Sequence, residues 1–278
     1  MTEVDGDIDL GAYFARIRYD GPREPTLATL SGLQLGHLQA IPFENLDPLL
    51  GRPVRIDAAS LERKLVRAAR GGYCFEQNGV FFRVLRSLDF DVTPLAARVV
   101  WMAPDGAPRS PLSHMLLKVD LPQGPYLTDV GFGGQSPTAP LRLQHDLEQS
   151  TLHGVYRLVS AGDGHELQMR LPDRWAAMYR FTEERQGFRD YEVFNWFTAT
   201  HPTSRFTGAL TAARVSGDRR FNLFNTELTI HGPDGFTETR VLDAPAALHA
   251  ALIRDFGIEV GLGDIAGVFD RLAQAPPR

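Results

Sequence analysis

Cys74, the single cysteine of this 278-residue chain, lies in the segment Arg70-Gly71-Gly72-Tyr73-Cys74-Phe75-Glu76-Gln77-Asn78. With no second thiol it can form no intramolecular disulfide, so it is either an inert core residue or a nucleophile. The glycine pair ahead of it and the apolar period after it put the sulfur at the start of a helix. There, unpaired N–H groups and the positive end of the helix dipole favour a thiolate, and Arg70 adds a nearby cation.

A thiol nucleophile needs a base, and the base needs a partner that fixes its tautomer. Of the eight histidines (His37, His114, His145, His153, His165, His201, His231 and His249), most read as surface or loop residues. His114 stands apart because it opens a strand whose hairpin partner ends at Asp129, so both belong at the open end of one hairpin. The other reading of Asp129 is a cap on the turn before Gly131. The run Gly131-Phe132-Gly133-Gly134-Gln135 lacks dinucleotide-binding spacing and is followed by no helix start. Glycines after a strand let a ligand approach the backbone, with Phe132 as an apolar wall; a simple turn is the alternative. Glu44 sits among apolar residues in Ile41-Pro42-Phe43-Glu44-Asn45-Leu46-Asp47, where Arg70 is available to pair with it. Either residue alone reads as a surface charge.

The elements that must carry these groups change type along the chain. Apolar residues three and four apart predict helices from Asp9 to Ile17 and from Thr26 to before Pro42. A third, capped by Asp57 or Ser60, carries Leu61, Leu65 and Ala69 and is stopped by Gly71-Gly72. A fourth starts at Cys74. From about Phe90 the period becomes that of strands: Val92 to Trp101, His114 to Leu121, Tyr126 to Val130, Tyr156 to Ser160 and Glu166 to Leu171, with a turn at Pro104-Asp105-Gly106. After Phe194 further strands at Leu210 to Val215 and Glu227 to His231 precede two helices. The first has Asp243 as its cap, Pro245 in its first turn and Gly257 at its end. The predicted divisions are residues 1–89, helical with the nucleophile; 90–194, a β-barrel with His114 and Asp129; and 195–278, an α/β lid. Ala275 to Arg278 reads as a frayed tail.

Composition narrows the function. Hydrophobic residues make up 43% and the net charge is −5, which excludes a basic nucleic-acid binder. One cysteine and no HExxH pattern argue against a zinc or iron–sulfur site. The acidic start, Met1 to Asp7, lacks a signal-peptide pattern, and no apolar run has membrane-spanning length. A cytoplasmic enzyme acting on small molecules, with no metal, is expected.

Four segments taken together resemble the arylamine N-acetyltransferases: Ile41-Pro42-Phe43-Glu44-Asn45-Leu46, Arg70-Gly71-Gly72-Tyr73-Cys74-Phe75-Glu76, Ser113-His114-Met115-Leu116-Leu117 and Asp129-Val130-Gly131-Phe132-Gly133. Order and spacing match that family over essentially the whole chain. The resemblance implies an α+β fold with a helical bundle, a central antiparallel β-barrel and an α/β lid, on a core like that of cysteine proteases and transglutaminases. It implies a triad of Cys74, His114 and Asp129, with Glu44 and Arg70 as an ion pair behind the nucleophile. It places Gly131, Phe132 and Gly133 at the substrate, and the stretch His201 to Phe206 suggests Phe206 as a coenzyme A or substrate contact. The implied activity is ping-pong N-acetylation of xenobiotic arylamines and hydrazines, with acetyl-CoA as cosubstrate and an acetyl-cysteine intermediate, in a monomer or homodimer.

Two other classes share the pattern. A thiol amide synthase or a transglutaminase- or amidase-like enzyme uses the same Cys, His, Asp order. A non-catalytic binding protein on the same scaffold would have an unreactive Cys74.

Overall fold

The structure, a computed structural model of the protein, describes residues 6–104 and 106–274. The acidic start up to Asp5, Asp105 of the predicted turn and the tail 275–278 lie outside the described residues.

The first part of the chain is built of α1 (Leu10–Ile17), α2 (Leu27–Ala40), the two-residue strand β1 (Phe43–Glu44), α3 (Leu46–Leu49), α4 (Ala58–Leu61) and α5 (Cys74–Ser87). Side-chain caps set several starts: Asp9 accepts from Ala12 N–H, Thr26 from Thr29 N–H and Asp57 from Ser60 N–H. Of the two caps proposed for the third helix, Asp57 is therefore the one used. That helix does not run on to the glycine pair. It widens into a π turn over Glu62–Arg67, and Ala69, at φ 51°, makes the left-handed stop. Gly71 and Gly72 serve close approach instead. A Cβ on Gly71 would lie 2.1 Å from the Pro42 carbonyl oxygen, and one on Gly72 would lie 2.6 Å from Glu76 Oε2.

Eight strands then form one antiparallel sheet: β2 (Asp91–Val99), β3 (His114–Leu121), β4 (Gly124–Thr128), β5 (Leu141–Arg142), β6 (Gln149–Thr151), β7 (Gly154–Ala161), β8 (Gly164–Arg170) and β9 (Trp175–Arg185). Their order is β5-β4-β3-β2-β9-β8-β7-β6. The sheet curls until its end strands nearly meet, where the Gln149 amide on β6 exchanges hydrogen bonds with the Arg142 backbone on β5 (2.6 and 3.0 Å). The barrel interior is a separate apolar core that includes Leu95, Leu116, Leu127, Leu158, Leu167 and Tyr179.

Helix α6 (Phe188–Thr200) and the short α7 (Arg205–Gly208) lead to β10 (Thr211–Ser216), β11 (Arg219–Phe224), β12 (Glu227–His231), β13 (Thr237–Val241), α8 (Pro245–Arg254) and α9 (Leu262–Gln274). Residue 194, expected to end the barrel segment, lies inside α6. Asp243 does not cap α8: the N-cap is Ala244, with no side-chain bond, and Pro245 takes the first helical position. The second sheet runs β1-β10-β11-β12-β13, so a strand from the first fifty residues edges the C-terminal sheet. The α+β class and the central antiparallel barrel are as expected from the sequence. Every residue of α5 from Cys74 to Leu85 is buried, because this helix is wedged between the other helices and β2 and β3 of the barrel.

Candidate active site

Cys74 is the first residue of α5 and is buried at 3% exposure. Its N–H, at the first position of the helix, has no acceptor within the helix. Glu76 closes the turn from below by accepting from the Tyr73 N–H (3.1 Å). Cys74 Sγ lies 3.5 Å from the Ser113 carbonyl oxygen, which puts the sulfur at the mouth of β3, beside His114.

His114 and Asp129 meet directly, with His114 Nε2 2.7 Å from Asp129 Oδ2 and both side chains buried. The sheet register explains how. Leu117 pairs with Thr128, so residue 129 falls opposite 116, and His114 reaches it along the diagonal. Asp129 Oδ1 accepts from Gly131 N–H (2.8 Å) and from Asn78 Nδ2 (2.9 Å). The turn-cap and histidine-partner readings of Asp129 thus both hold, one on each oxygen. Burial works against a charged imidazole, but the Asp129 carboxylate, its hydrogen bond and then Cys74 outweigh it and hold His114 at a pKa of about 10. Burial pushes Asp129 up, yet His114, Asn78 and Gly131 bring it below the usual carboxylate value. Asp129 engages Nε2 of His114 and leaves its other ring nitrogen free of that carboxylate.

The glycine loop after β4 packs on Cys74. A Cβ at Gly131 would lie 2.6 Å from Asn78 Nδ2 and 2.7 Å from Cys74 Cα, so only glycine permits this approach. Gly133 turns the chain at φ 89°. Phe132 meets the His114 ring edge-on (centroids 5.4 Å) and leans on Tyr179 (5.3 Å). A cavity of about 300 Å³ opens on Cys74 and His114, walled by Phe132 and Gln135 of the loop, Val99 at the end of β2 and Trp101 beyond it, Phe206, and Ala213 of β10. Phe206 packs against Tyr73 (5.3 Å) and Phe43 (6.0 Å). Its segment is pinned by Asn45, whose Nδ2 donates to the Phe206 and Ala209 carbonyls and whose Oδ1 accepts from Thr211 N–H.

Behind the start of α5, Arg70 holds Glu44 through two bonds to Oε1 (2.9 and 2.7 Å), while Glu44 Oε2 accepts from Leu46 N–H. The pair belongs to a larger, partly buried charge cluster that the sequence did not reveal. Lys64 joins Asp47 and Glu76, both at 2.6 Å, and Arg70 also reaches Asp47 at 3.5 Å. Burial drives the Glu76 carboxyl up to about 7 against the pull of Lys64. The cations of this cluster are thus engaged by carboxylates, so Arg70 serves the loop's architecture rather than standing free beside the sulfur.

Sequence reasoning missed three more residues here. Asn78 is four residues after Cys74, on the same helix face; a polar residue at that spacing in an apolar helix was the available signal. Its side chain also donates to the Met115 carbonyl (2.7 Å) and accepts from Val130 N–H (3.1 Å). Tyr179 lies against His114 (5.0 Å) on β9, a strand whose period was not recognised. His37, read as a surface residue, is fully buried between Tyr13 Oη (2.8 Å) and Gln77 Oε1 (2.6 Å), and burial lowers its pKa to about 4.

Residues 26–265 match the family model described as N-acetyltransferase. The chain is 48% identical to an arylamine N-acetyltransferase of Mycobacterium tuberculosis over 257 residues, covering 91% of this chain and 90% of the relative. It is 45% identical to that of Mycolicibacterium smegmatis over 263 residues, 94% of each. This chain belongs to the arylamine N-acetyltransferase family. It is accordingly an enzyme of the acyltransferase type. Among solved structures, that of the Mycobacterium marinum arylamine N-acetyltransferase in complex with CoA superposes with a TM-score of 0.92 at 45% identity, covering 95% of this chain and 99% of that one. Among the described residues no cluster of three or more His, Cys, Asp or Glu is placed to hold a metal ion, and no helix is long and apolar enough to cross a membrane.

Proposed function

We propose that this family member transfers an acetyl group from acetyl-CoA to an aromatic amine or hydrazine by double displacement through Cys74. The observation that carries the proposal is the approach of a buried His114–Asp129 pair and Cys74 at one cavity of about 300 Å³. With its pKa near 10, His114 is charged at neutral pH and stabilises the Cys74 thiolate as an ion pair. The thiolate attacks the thioester carbonyl, CoA leaves as the free thiol by taking the His114 proton, and the acetyl group stays at thioester reactivity on Cys74 beside a now neutral imidazole. The Cys74 N–H at the head of α5 is an oxyanion donor. The amine then attacks acetyl-Cys74, and His114 accepts the amine's proton.

Gly131 and Phe132 form the acceptor side of the cavity and Phe206 its opposite rim, while Gly133 turns the loop at φ 89° without lining the cavity. Glu44 and Arg70 hold the loop before Cys74. Residues 1–89 supply the nucleophile, 90–194 the base and carboxylate, and 195–278 the cover that keeps water from the thioester. A reduced thiol of this kind fits a cytoplasmic enzyme, monomeric or homodimeric, that acts on small molecules.

Mass spectrometry after mixing with acetyl-CoA alone tests the reading. The wild type should gain one acetyl group on Cys74, and Cys74→Ser should gain none and turn over no amine. Acetyl transfer by Cys74→Ser at the wild-type rate would overturn it.

A further inference from the structure

Behind the catalytic cavity lies a second, larger cleft of about 480 Å³, between the end of α1, the face of α2 and the β10–β11 turn. Neighbouring residues of β10 point to opposite sides of the strand: Ala213 lines the catalytic cavity and Arg214 this cleft. Arg16 and Arg18 face it as well, and no Asp or Glu lines it. Among the described residues none of the three arginines has a salt-bridge partner, unlike Arg52, Arg67 and Arg70.

The cations are held in place by bonds that leave donors over. Arg16 donates Nε to the Leu65 carbonyl (3.1 Å) and Nη2 to the Ala69 carbonyl (3.2 Å), which leaves Nη1 without a protein acceptor. Arg214 donates Nε to the Gln39 carbonyl (3.1 Å), and neither of its Nη nitrogens has one. Arg18 makes no side-chain hydrogen bond and sits at φ 54°, a left-handed position at the end of α1 where glycine is the usual residue. Burial, then Arg214 and Arg18, lower the pKa of Arg16, while burial and Arg18 do the same to Arg214, so the fold gathers like charges without a counter-charge.

We propose that this cleft is an oligophosphate-binding site in which Arg16, Arg18 and Arg214 grip the anion from the helical part and the C-terminal sheet at once. Guanidinium forks suit phosphate oxygens. Three forks approaching from two helix-end positions and a strand need acceptor oxygens in several directions, which linked tetrahedral phosphates offer and a planar carboxylate does not. The anion relieves the repulsion and ties α1 to β10, the strand that walls the catalytic cavity. This inference does not depend on the acetyl-transfer reading.

Calorimetry and thermal melting of the full chain with inorganic pyrophosphate, against sodium chloride at matched ionic strength, test it. One pyrophosphate should bind per chain and raise the melting temperature by roughly 3 °C at ten times its Kd. Saturating CoA should not displace it. Arg18→Gln, which removes an exposed side chain without protein hydrogen bonds and so folds normally, should weaken binding about tenfold, as should Arg214→Gln. ADP is a second arm: binding as tight as pyrophosphate assigns the site to a nucleotide-borne diphosphate, weaker binding to the free inorganic anion. No binding beyond chloride, equal binding by Arg18→Gln, or displacement by CoA would overturn the proposal.

Discussion

Replacing Asn78 by alanine separates the hydrogen-bond frame around the His114–Asp129 pair from the pair itself. The Asn78 side chain satisfies three buried groups: Asp129 Oδ1 at 2.9 Å, the Met115 carbonyl at 2.7 Å and the Val130 N–H at 3.1 Å. Without it, Asp129 keeps Gly131 N–H and His114, while Met115 and Val130 lose the bonds that Asn78 made. Two unpaired buried groups at about 1–3 kcal/mol each should cost roughly 2–6 kcal/mol of stability, read as a lower urea midpoint. The bond to Asp129 is charge-assisted and worth about 1.5–3 kcal/mol, so Cys74 acetylation should slow by roughly ten- to a hundredfold. A folded variant should also lose iodoacetamide reactivity at neutral pH, because a less firmly held Asp129 supports less imidazolium and less thiolate. That pH profile is the readout that mere destabilisation would not move. If the urea midpoint falls while alkylation and acetylation keep their wild-type rates and pH dependence, Asn78 is a packing residue and the argument fails.

Further outcomes follow from the same geometry. Asp129→Asn should lower turnover by about 10⁴-fold, since an amide can offer His114 the wrong hydrogen-bond face. The pair should also leave a pH signature: a His114 pKa raised from 6.5 to about 10 contributes stability that is whole below pH 6.5 and lost as pH rises through 10. The melting-temperature gap between the wild type and Asp129→Asn should therefore narrow across that window, and a constant gap would refute the charged pair. Phe132→Ser should weaken use of bulky arylamines by about tenfold. Because the ring also meets His114 at 5.4 Å, acetylation of Cys74 should fall too, but by less. Equal losses in the two half-reactions would make Phe132 a support for the histidine rather than a surface for the amine.

The sequence by itself carried the local part of the site. Cys74 at a helix start, His114 at a strand start and the glycine loop after Asp129 are consequences of apolar period and chain-breaking residues, which act over a few positions. Asp57 as a cap and Pro245 in a first helical turn were legible for the same reason. The errors have equally local causes. Gly71-Gly72 looked like a helix stop, but a glycine needed because another backbone passes within 2.1 Å carries the same letter as one needed for a turn. His37 looked like a surface residue because its partners, Tyr13 and Gln77, are 24 and 40 positions away. Only the tertiary structure decided the register that turns His114 toward Asp129, the place of Asn78 beside Asp129 and the joining of β2 to β8 by β9. It alone joined Lys64 and Asp47 to the charges beneath Cys74, paired β1 with β10, and gathered Arg16, Arg18 and Arg214 around one cleft. Each of these depends on side chains from distant segments meeting in a low-dielectric interior, where a hydrogen bond or a charge is strong and an unpaired one is costly. No pattern confined to neighbouring residues encodes that meeting.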